Sequence, residues 1–336
     1  MPGWCPFWAW IVDRINENEV MQDWINTVFS VLASVMLFLF GLSAFADELT
    51  RSGGDRLKQI LKTLTRSDVR AALTGAAASA IIQSSSAVTS MTVSLAHKKS
   101  LTERAAFTIM IGTNVGTTLT AWLVAMKVSG LGPVFITLGG LWSVLAPRTW
   151  RPWGKAGFYF GVIFLALDLI SASLQPLTQN IDLAQWKLVL SHPATALLFG
   201  AGLTVLVQSS SVVSGLAILA VGQGLLEPDA AVWMVAGANV GTTSTAWVAA
   251  SALDKLARQL ALLNSVFNVF GVLLFASVLQ PAVARILASD LTTVQQVALV
   301  NTVFNLTAAI LALVCLPWLW PRIESWLHKP PLKTSP

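Results

Sequence analysis

Two short polar words interrupt an otherwise apolar sequence, and each occurs twice. Gln83-Ser84-Ser85-Ser86 returns as Gln208-Ser209-Ser210-Ser211. Gly112-Thr113-Asn114-Val115-Gly116-Thr117-Thr118 returns as Gly237-Ala238-Asn239-Val240-Gly241-Thr242-Thr243. Residues of these types can bind ions without a charged side chain. A helix that starts at Ser85 or Ser86, and another at Ser210 or Ser211, would present unpaired backbone N–H groups and a positive dipole end, which together make an anion site. The amides of Gln83 and Gln208 and the hydroxyls of Ser84 and Ser209 would add donors. In the second word, two glycines four apart are expected to loosen a helix and free carbonyl oxygens. With the side-chain oxygens of Asn114, Thr117, Thr118, Asn239, Thr242 and Thr243 they suit a hard cation such as sodium. The blander readings are serines that only cap helix breaks and a Gly-x-x-x-Gly face that only packs. Duplication of both words favours function.

The words belong to a larger repeat. Residues 75–125 and 200–250 align without a gap at an offset of 125, with 20 of 51 positions identical. The same offset extends weakly upstream, pairing residues 40–49 with 165–174, so the unit is half of the chain. A third echo carries Gln259-x-Ala-Leu-x-Asn264-x-Val-Phe-Asn268 into Gln296-x-Ala-Leu-x-Asn301-x-Val-Phe-Asn305.

The surroundings of the words are those of a membrane protein. Of 336 residues 55% are hydrophobic and 11% charged, against about 25% charged in soluble domains. Seven segments approach the ~20 apolar residues that cross a bilayer: 25–47, 105–127, 131–147, 156–177, 230–251, 258–280 and 296–320. Residues 69–82 and 194–207 are too short to cross. Each is followed by its serine run and a second short apolar stretch, 87–96 or 212–221. Two half-helices meeting at a polar tip predict a re-entrant hairpin, tolerated where protein or water surrounds it. With the N-terminus outside, the loops 48–70, 97–104, 148–155 and 252–258 and the tail fall on one side and carry 17 of the 21 Lys and Arg. That bias marks the cytoplasmic side. Three crossings separate the hairpins, so the second copy is inverted and both tips meet near mid-membrane. The expected fold is all-α and integral to the membrane, with inverted-topology repeats, about seven transmembrane helices and two re-entrant hairpins. Its parts are an interfacial N-terminal segment 1–24, a first repeat 25–155 (hairpin 67–96), a second repeat 156–280 (hairpin 192–223), an extra helix 281–320 and a cytoplasmic tail 321–336.

Other features carry less. The net charge of +5 lies in short loops, which argues for topology and against a nucleic-acid partner. Cys5 and Cys315 imply no disulfide. Tryptophans such as Trp142, Trp150, Trp153 and Trp318 sit near segment ends, where an interfacial belt would place them. Asp168 is the one acidic residue well inside a segment, a functional position by default, but it aligns with Ser43, so the repeat does not support it. Asn264, Asn268, Asn301 and Asn305 suit interhelical hydrogen bonds, and Asp47 and Glu48 suit solvation at a segment end. A serine hydrolase would need a base near the serine, and no His falls in a spanning segment, where the one Lys, Lys127, is the last residue of its segment. No enzyme, organic cofactor or transition metal is expected, and a passive channel would not need two occluding hairpins.

At these residues the chain resembles the sodium/phosphate cotransporters, the type II carriers and their bacterial relatives, over about residues 30–320. The doubled Gln-Ser-Ser of Gln83–Ser86 and Gln208–Ser211 and the Gly-x-Asn-x-Gly-Thr-Thr words match that family. The resemblance implies sodium-driven movement of inorganic phosphate. Substrate would sit at Gln83, Ser84, Ser85, Ser86, Gln208, Ser209, Ser210 and Ser211. Sodium would sit at Ser84, Ser209, Asn114, Thr117, Thr118, Asn239, Thr242 and Thr243. It further implies a multi-pass protein of the bacterial inner membrane, lipid as its solvent, and room for a homodimer. The chain departs from the family in having Asn264 and Asn301 at positions where His is frequent, and a short, cysteine-free connection between the halves. On the residues alone, a sodium-coupled carrier of another anion, such as a dicarboxylate, fits equally well.

Overall fold

The computed structural model describes residues 6–63, 65–126, 130–180 and 184–328, and its regular structure is helical throughout. The first half contains α1 (Pro6–Thr63), α2 (Asp68–Ile82), α3 (Ser85–His97), α4 (Glu103–Ala125) and α5 (Leu131–Leu145). Next come α6 (Arg151–Asn180), α7 (Ala184–Ser191), α8 (Pro193–Val207), α9 (Ser210–Gly222), α10 (Pro228–Gly241) and α11 (Thr243–Ser251). The chain ends with α12 (Lys255–Ser277), α13 (Gln280–Leu287) and α14 (Thr293–Leu327). Cys5, Lys127 and the tail beyond His328 lie outside the described residues.

Five helices are each long and apolar enough to cross a bilayer: within α1 and α6, and α4, α12 and α14. Two of the seven expected segments differ. Residues 131–147 form only the 15-residue α5, about 22 Å at helical rise. Gly130, at φ +86°, starts it, and the extended Ala146 before Pro147 stops it. Residues 230–251 divide at Thr242 into α10 and α11. The loop expected at 48–70 is mostly helix: α1 continues to Thr63, with Leu61 fully buried. Its Leu, Lys and Gln content favours helix beyond the apolar stretch. The same α1 starts at Pro6, so residues 6–24 are continuous with the first long segment rather than a separate element. Glu48, expected to be solvated, is buried.

The second word does not loosen its first helix. Through Gly112 and Gly116, α4 runs unbroken, because both glycines are contact points. A Cβ on Gly112 would lie 1.9 Å from the Ala72 carbonyl oxygen, and one on Gly116 would lie 2.3 Å from that of Ala76. The second half repeats this: a Cβ on Gly237 would meet the Leu197 carbonyl oxygen at 1.9 Å and one on Gly241 the Ala201 oxygen at 2.5 Å. So α2 lies backbone to backbone on α4, and α8 on α10. Missing side chains let helices approach like this in lipid, where packing replaces the hydrophobic effect.

Polar contacts sort the helix ends into two groups. The Arg104 guanidinium makes a two-pronged ion pair with Asp68, at 2.9 and 2.6 Å, and lies over Trp320. His97 faces Asp254 at 3.0 Å and His328 faces Glu103 at 3.1 Å. The Gln259 amide donates to the Trp326 carbonyl. These contacts put the start of α2, the end of α3 and the starts of α4 and α12 beside the C-terminal end of α14. Gly222, at the end of α9, instead lies against Val294, at the start of α14. The 35 residues of α14 span about 52 Å, so the helix pairs α2–α3 and α8–α9 have their open ends at opposite ends of α14.

The glycine contacts yield a direct test. Gly112→Ala should destabilise the detergent-solubilised protein by about 1–3 kcal/mol or more, the usual cost of overpacking, seen as a lower melting temperature. Gly202→Ala in α8, where a new Cβ meets nothing within 4 Å, should melt at or above the native temperature, alanine being the better helix former. Equal melting of both variants would show that the α2–α4 contact does not hold the fold.

Candidate functional site

Both Gln-Ser-Ser-Ser words are helix breaks of the same shape. Gln83 closes α2 in the left-handed region (φ 58°, ψ 25°), and Gln208 closes α8 at φ 58°, ψ 24°. A left-handed residue is the common end of a helix, although glycine is usual there. In both copies the backbone N–H of the glutamine returns to the carbonyl four residues back, Ser79 at 2.8 Å and Thr204 at 2.7 Å. The side-chain amide then bonds a second freed carbonyl, Ala80 from Gln83 and Val205 from Gln208, each at 2.5 Å. Glutamine thus caps the helix that it ends.

The next helix starts one residue later. Ser84 and Ser209 are extended N-caps whose hydroxyls accept from the Ala87 N–H at 3.2 Å and the Val212 N–H at 3.4 Å. Their carbonyls accept from Val88 and Val213. In each first turn the N–H groups of the serines remain, Ser85 and Ser86 on α3 and Ser210 and Ser211 on α9. Such groups lack intrahelical partners and stand at the positive end of the helix dipole. Ser85, Ser210 and Ser211 are buried and Ser86 is half-buried. The two breaks touch: the Ser86 hydroxyl donates across 3.4 Å to the Gln208 carbonyl. Two helix N-termini therefore converge on one place, which is an arrangement for holding a small anion with neutral donors.

The Gly-Asn words lie behind the tips. Asn114 is buried and its amide donates to the Asn268 side-chain oxygen at 2.8 Å; the Asn268 amide in turn donates to the Asn264 carbonyl at 2.8 Å. The Asn239 amide turns back to the Val235 carbonyl at 3.2 Å. The Thr117, Thr118 and Thr243 hydroxyls donate to carbonyls three residues back on their own helices. Thr242 differs: its hydroxyl reaches the Ser210 hydroxyl at 3.0 Å, joining the second Gly-Asn word to the second tip. It does so where α10 gives way to α11, so the helix interruption expected in both copies occurs in the second.

Two partners were not foreseen. The Thr120 hydroxyl donates to the Gln83 side-chain oxygen at 2.8 Å, and Gln208 donates to the Ser244 hydroxyl at 3.1 Å. Thr120 had a signal, since Thr120 and Thr245 align at the repeat offset. Ser244 had none, because Leu119 is its counterpart. Asn268, expected to make an interhelical hydrogen bond, does so and ties α12 to the first Gly-Asn word. Asn305 instead bonds Asn301 within α14, and Asp168 is half-buried on α6. Beside the first tip a small cavity is lined by Gln83 and Thr120 with apolar side chains that include Phe38, Leu42 and Phe164.

The profile of a family described as Na+/Pi-cotransporter matches residues 37–172 and 174–288. The chain is 29% identical to the uncharacterized protein YqeW of Bacillus subtilis, over 85% of this chain and 94% of that protein. It is 27% identical to the putative inorganic phosphate export protein YjbB of Salmonella typhimurium, over 76% of this chain and 47% of the relative. A shorter stretch of 84 residues, 24% of this chain and 14% of the relative, is 43% identical to the human sodium-dependent phosphate transport protein 2C. The chain thus spans nearly all of the first relative but less than half of the other two. No solved structure matches it.

The ion pair that fastens the end of α3 to the start of α12 has a definite pH signature. Burial pushes the Asp254 carboxyl up, but the hydrogen bond from the Ala257 N–H and the adjacent His97 ring outweigh it and hold the carboxyl below its usual range. A carboxyl depressed by folding contributes stability above its unfolded value near ~3.9, and that contribution is lost as pH falls through the folded value. Asp254→Asn should therefore lose less melting temperature than the native chain between about pH 5 and pH 3, the range bracketing that unfolded value. Parallel acid limbs for the two proteins would remove Asp254 from the pH response.

Proposed function

The chain belongs to the Na+/Pi-cotransporter family, and on that premise we propose that it moves inorganic phosphate across a membrane coupled to sodium. The observation that carries this reading is the meeting of the two tips through Ser86 and Gln208. Phosphate would lie against the first-turn N–H groups and hydroxyls of Ser85, Ser86, Ser210 and Ser211, oriented by Gln83, Ser84, Gln208 and Ser209. Neutral donors are adequate, because two helix N-termini supply positive potential beside the buried Ser85, Ser210 and Ser211. Bound sodium would offset the remaining negative charge. Its oxygens would come from Ser84 and Ser209 at the tips and from Asn114, Thr117, Thr118, Asn239, Thr242 and Thr243 behind them.

The relatives named for phosphate export and for sodium-dependent phosphate transport support the substrate and the coupling ion. Hydrolysis has no comparable support: the hydrogen-bond partners of Ser86 and Ser210 are a carbonyl and a hydroxyl, neither of them a base. In the proposed cycle α2–α3 and α8–α9 are re-entrant hairpins of two inverted halves. Each opens the site to one side in turn, the plan of transporters built on inverted repeats. The open ends of the two pairs at opposite ends of α14 support that plan. So does the cluster of basic residues in and around the segments 97–104 and 252–258, which face the C-terminal end of α14 and would be cytoplasmic.

Flux measurements test the substrate and the site together. Purified protein in liposomes should accumulate radiolabelled phosphate when a sodium gradient is imposed and not when choline replaces sodium. Ser85→Leu and Ser210→Leu should each abolish that flux while the protein still inserts. Wild-type flux through both variants would remove the serine tips from the site, and flux of a dicarboxylate in place of phosphate would change the substrate.

Labelling tests the topology. In a background with Cys5 and Cys315 replaced, Lys98→Cys should react with an impermeant thiol reagent from the cytoplasmic side only. Gln223→Cys should react from the external side only. Reaction of both from one side would mean that the halves are parallel or that a hairpin crosses, and the two-tip site would be lost.

A further inference from the structure

Hydroxyls inside helices almost always find a carbonyl, and this chain follows the rule. Thr74, Thr92, Thr108 and Thr302 each donate to the carbonyl four residues back, at 2.7, 2.7, 2.7 and 2.9 Å. Among the described residues, three buried side-chain polar atoms have no hydrogen-bond partner: Ser79 Oγ, Thr204 Oγ1 and His97 Nδ1. The last has the Asp254 carboxylate 3.0 Å away. The other two are 1% and 0% exposed, and they are the same position of the repeat, 125 residues apart.

Leaving such a group unpaired costs about 1–3 kcal/mol, so an orphan calls for an explanation. One orphan could be an accident of packing. Two at equivalent positions, one a serine and the other a threonine, share only the hydroxyl. Alanine would fill the space of Ser79 and valine that of Thr204 without the penalty, and alanine favours the helix more.

Their surroundings suit an oxygen-seeking ligand. Each sits in the last turn before a tip, four residues ahead of Gln83 or Gln208, and the carbonyl of the same residue receives the glutamine N–H. Each also packs on the second glycine of its Gly-Asn word: a Cβ on Gly116 or Gly241 would lie 2.7 Å from the Cβ of Ser79 or Thr204. The residues after those glycines are Thr117 and Thr242, and the Thr242 hydroxyl already reaches Ser210 at 3.0 Å. No acidic or basic residue occurs in α8 or α9, or in the Gly-Asn words themselves. An anion at either hydroxyl would compete with the tip donors, whereas a small hard monovalent cation prefers oxygens of this kind.

We propose that the Ser79 and Thr204 hydroxyls are ligands of the coupling cation, one in each half, each completing a site between the last turn before the tip and the Gly-Asn helix. This rests on the sodium reading given above and adds to it two positions that neither polar word contains. A cation would take up the lone pairs of these two oxygens, which no donor of the protein fills.

The test uses the purified full-length chain and reads binding apart from transport. A ligand that binds the folded state raises the melting temperature with its concentration, so melting is followed against NaCl, with choline chloride holding ionic strength constant. Ser79→Ala and Thr204→Val should each raise the sodium concentration for half-maximal stabilisation by about tenfold, the effect of losing one contact of hydrogen-bond strength. In choline alone both should melt at or above the native temperature. Thr204→Ser, which keeps the hydroxyl, should respond as the native chain does. A native chain that responds to sodium, with both variants responding identically, overturns this assignment and leaves sodium coupling intact. A native chain indifferent to sodium in melting and in phosphate flux overturns the coupling reading and this assignment with it.

Discussion

The architecture depends on two helix breaks placed among apolar residues. Breaking a helix frees carbonyls on one side and N–H groups on the other, and in an apolar setting no water satisfies them. The chain answers the first half of that problem locally. Gln83 and Gln208 adopt a left-handed backbone that costs a non-glycine residue about 1–2 kcal/mol, and each then caps two carbonyls of its own helix, with its N–H and its side-chain amide. Glycine would take the turn without strain but has no amide to return. The second half is answered only in part. Ser84 and Ser209 serve one N–H each through their hydroxyls, and the N–H groups of the following serines remain for something else. An anion is what such groups accept best.

Breaks of this kind survive only if protein surrounds them, and the glycines bring that protein close. With Gly112 and Gly116 against α2, and Gly237 and Gly241 against α8, each broken segment lies flat on a neighbouring helix. Carbonyls and hydroxyls of the two Gly-Asn words thereby come behind the tips without any bulky side chain between. Glycine spacing that suggested a loosened helix thus has a different use in α4, where it lets two helices touch. Only after α10, where Thr242 turns its hydroxyl to Ser210 instead of its own helix, does the chain also interrupt the helix.

Much of this was legible in the sequence because the repeat states its chemistry twice. The short apolar stretches around each serine run gave the half-helices α2, α3, α8 and α9 to within a few residues. The N-caps of α3 and α9 accord with the preference of serine for that position, whereas the capping role of Gln83 and Gln208 had no such signal. What was not legible came from contacts between distant segments. Nothing in the sequence near Asn114 names Asn268 as its partner, and nothing near Gln208 names Ser244, which the repeat aligns with a leucine. The continuation of α1 to Thr63 was hidden for another reason. The charge density of residues 48–70 predicts a loop, yet lysine, leucine and glutamine are good helix formers once the helix has begun.

Where the halves differ is as informative as where they agree. Gln83 is buried and receives the Thr120 hydroxyl, whereas Gln208 is exposed and gives its amide to Ser244. Thr117 bonds within α4, while its counterpart Thr242 bonds Ser210 on α9. Identical words in identical surroundings would leave a central site equally open, or equally closed, to both sides. A carrier that works by alternating access cannot be symmetric in any one state, because one gate must be shut while the other yields. The proposed cycle then has a concrete content. In that cycle the two halves would exchange these hydrogen-bond patterns, with Thr117 turning toward Ser85 as Thr242 turned back to its own helix. Each pattern is built from one hydroxyl and one accessible acceptor, so the exchange trades bonds of equal kind. Two such states can lie within a few kcal/mol of each other, as a population-shift mechanism requires.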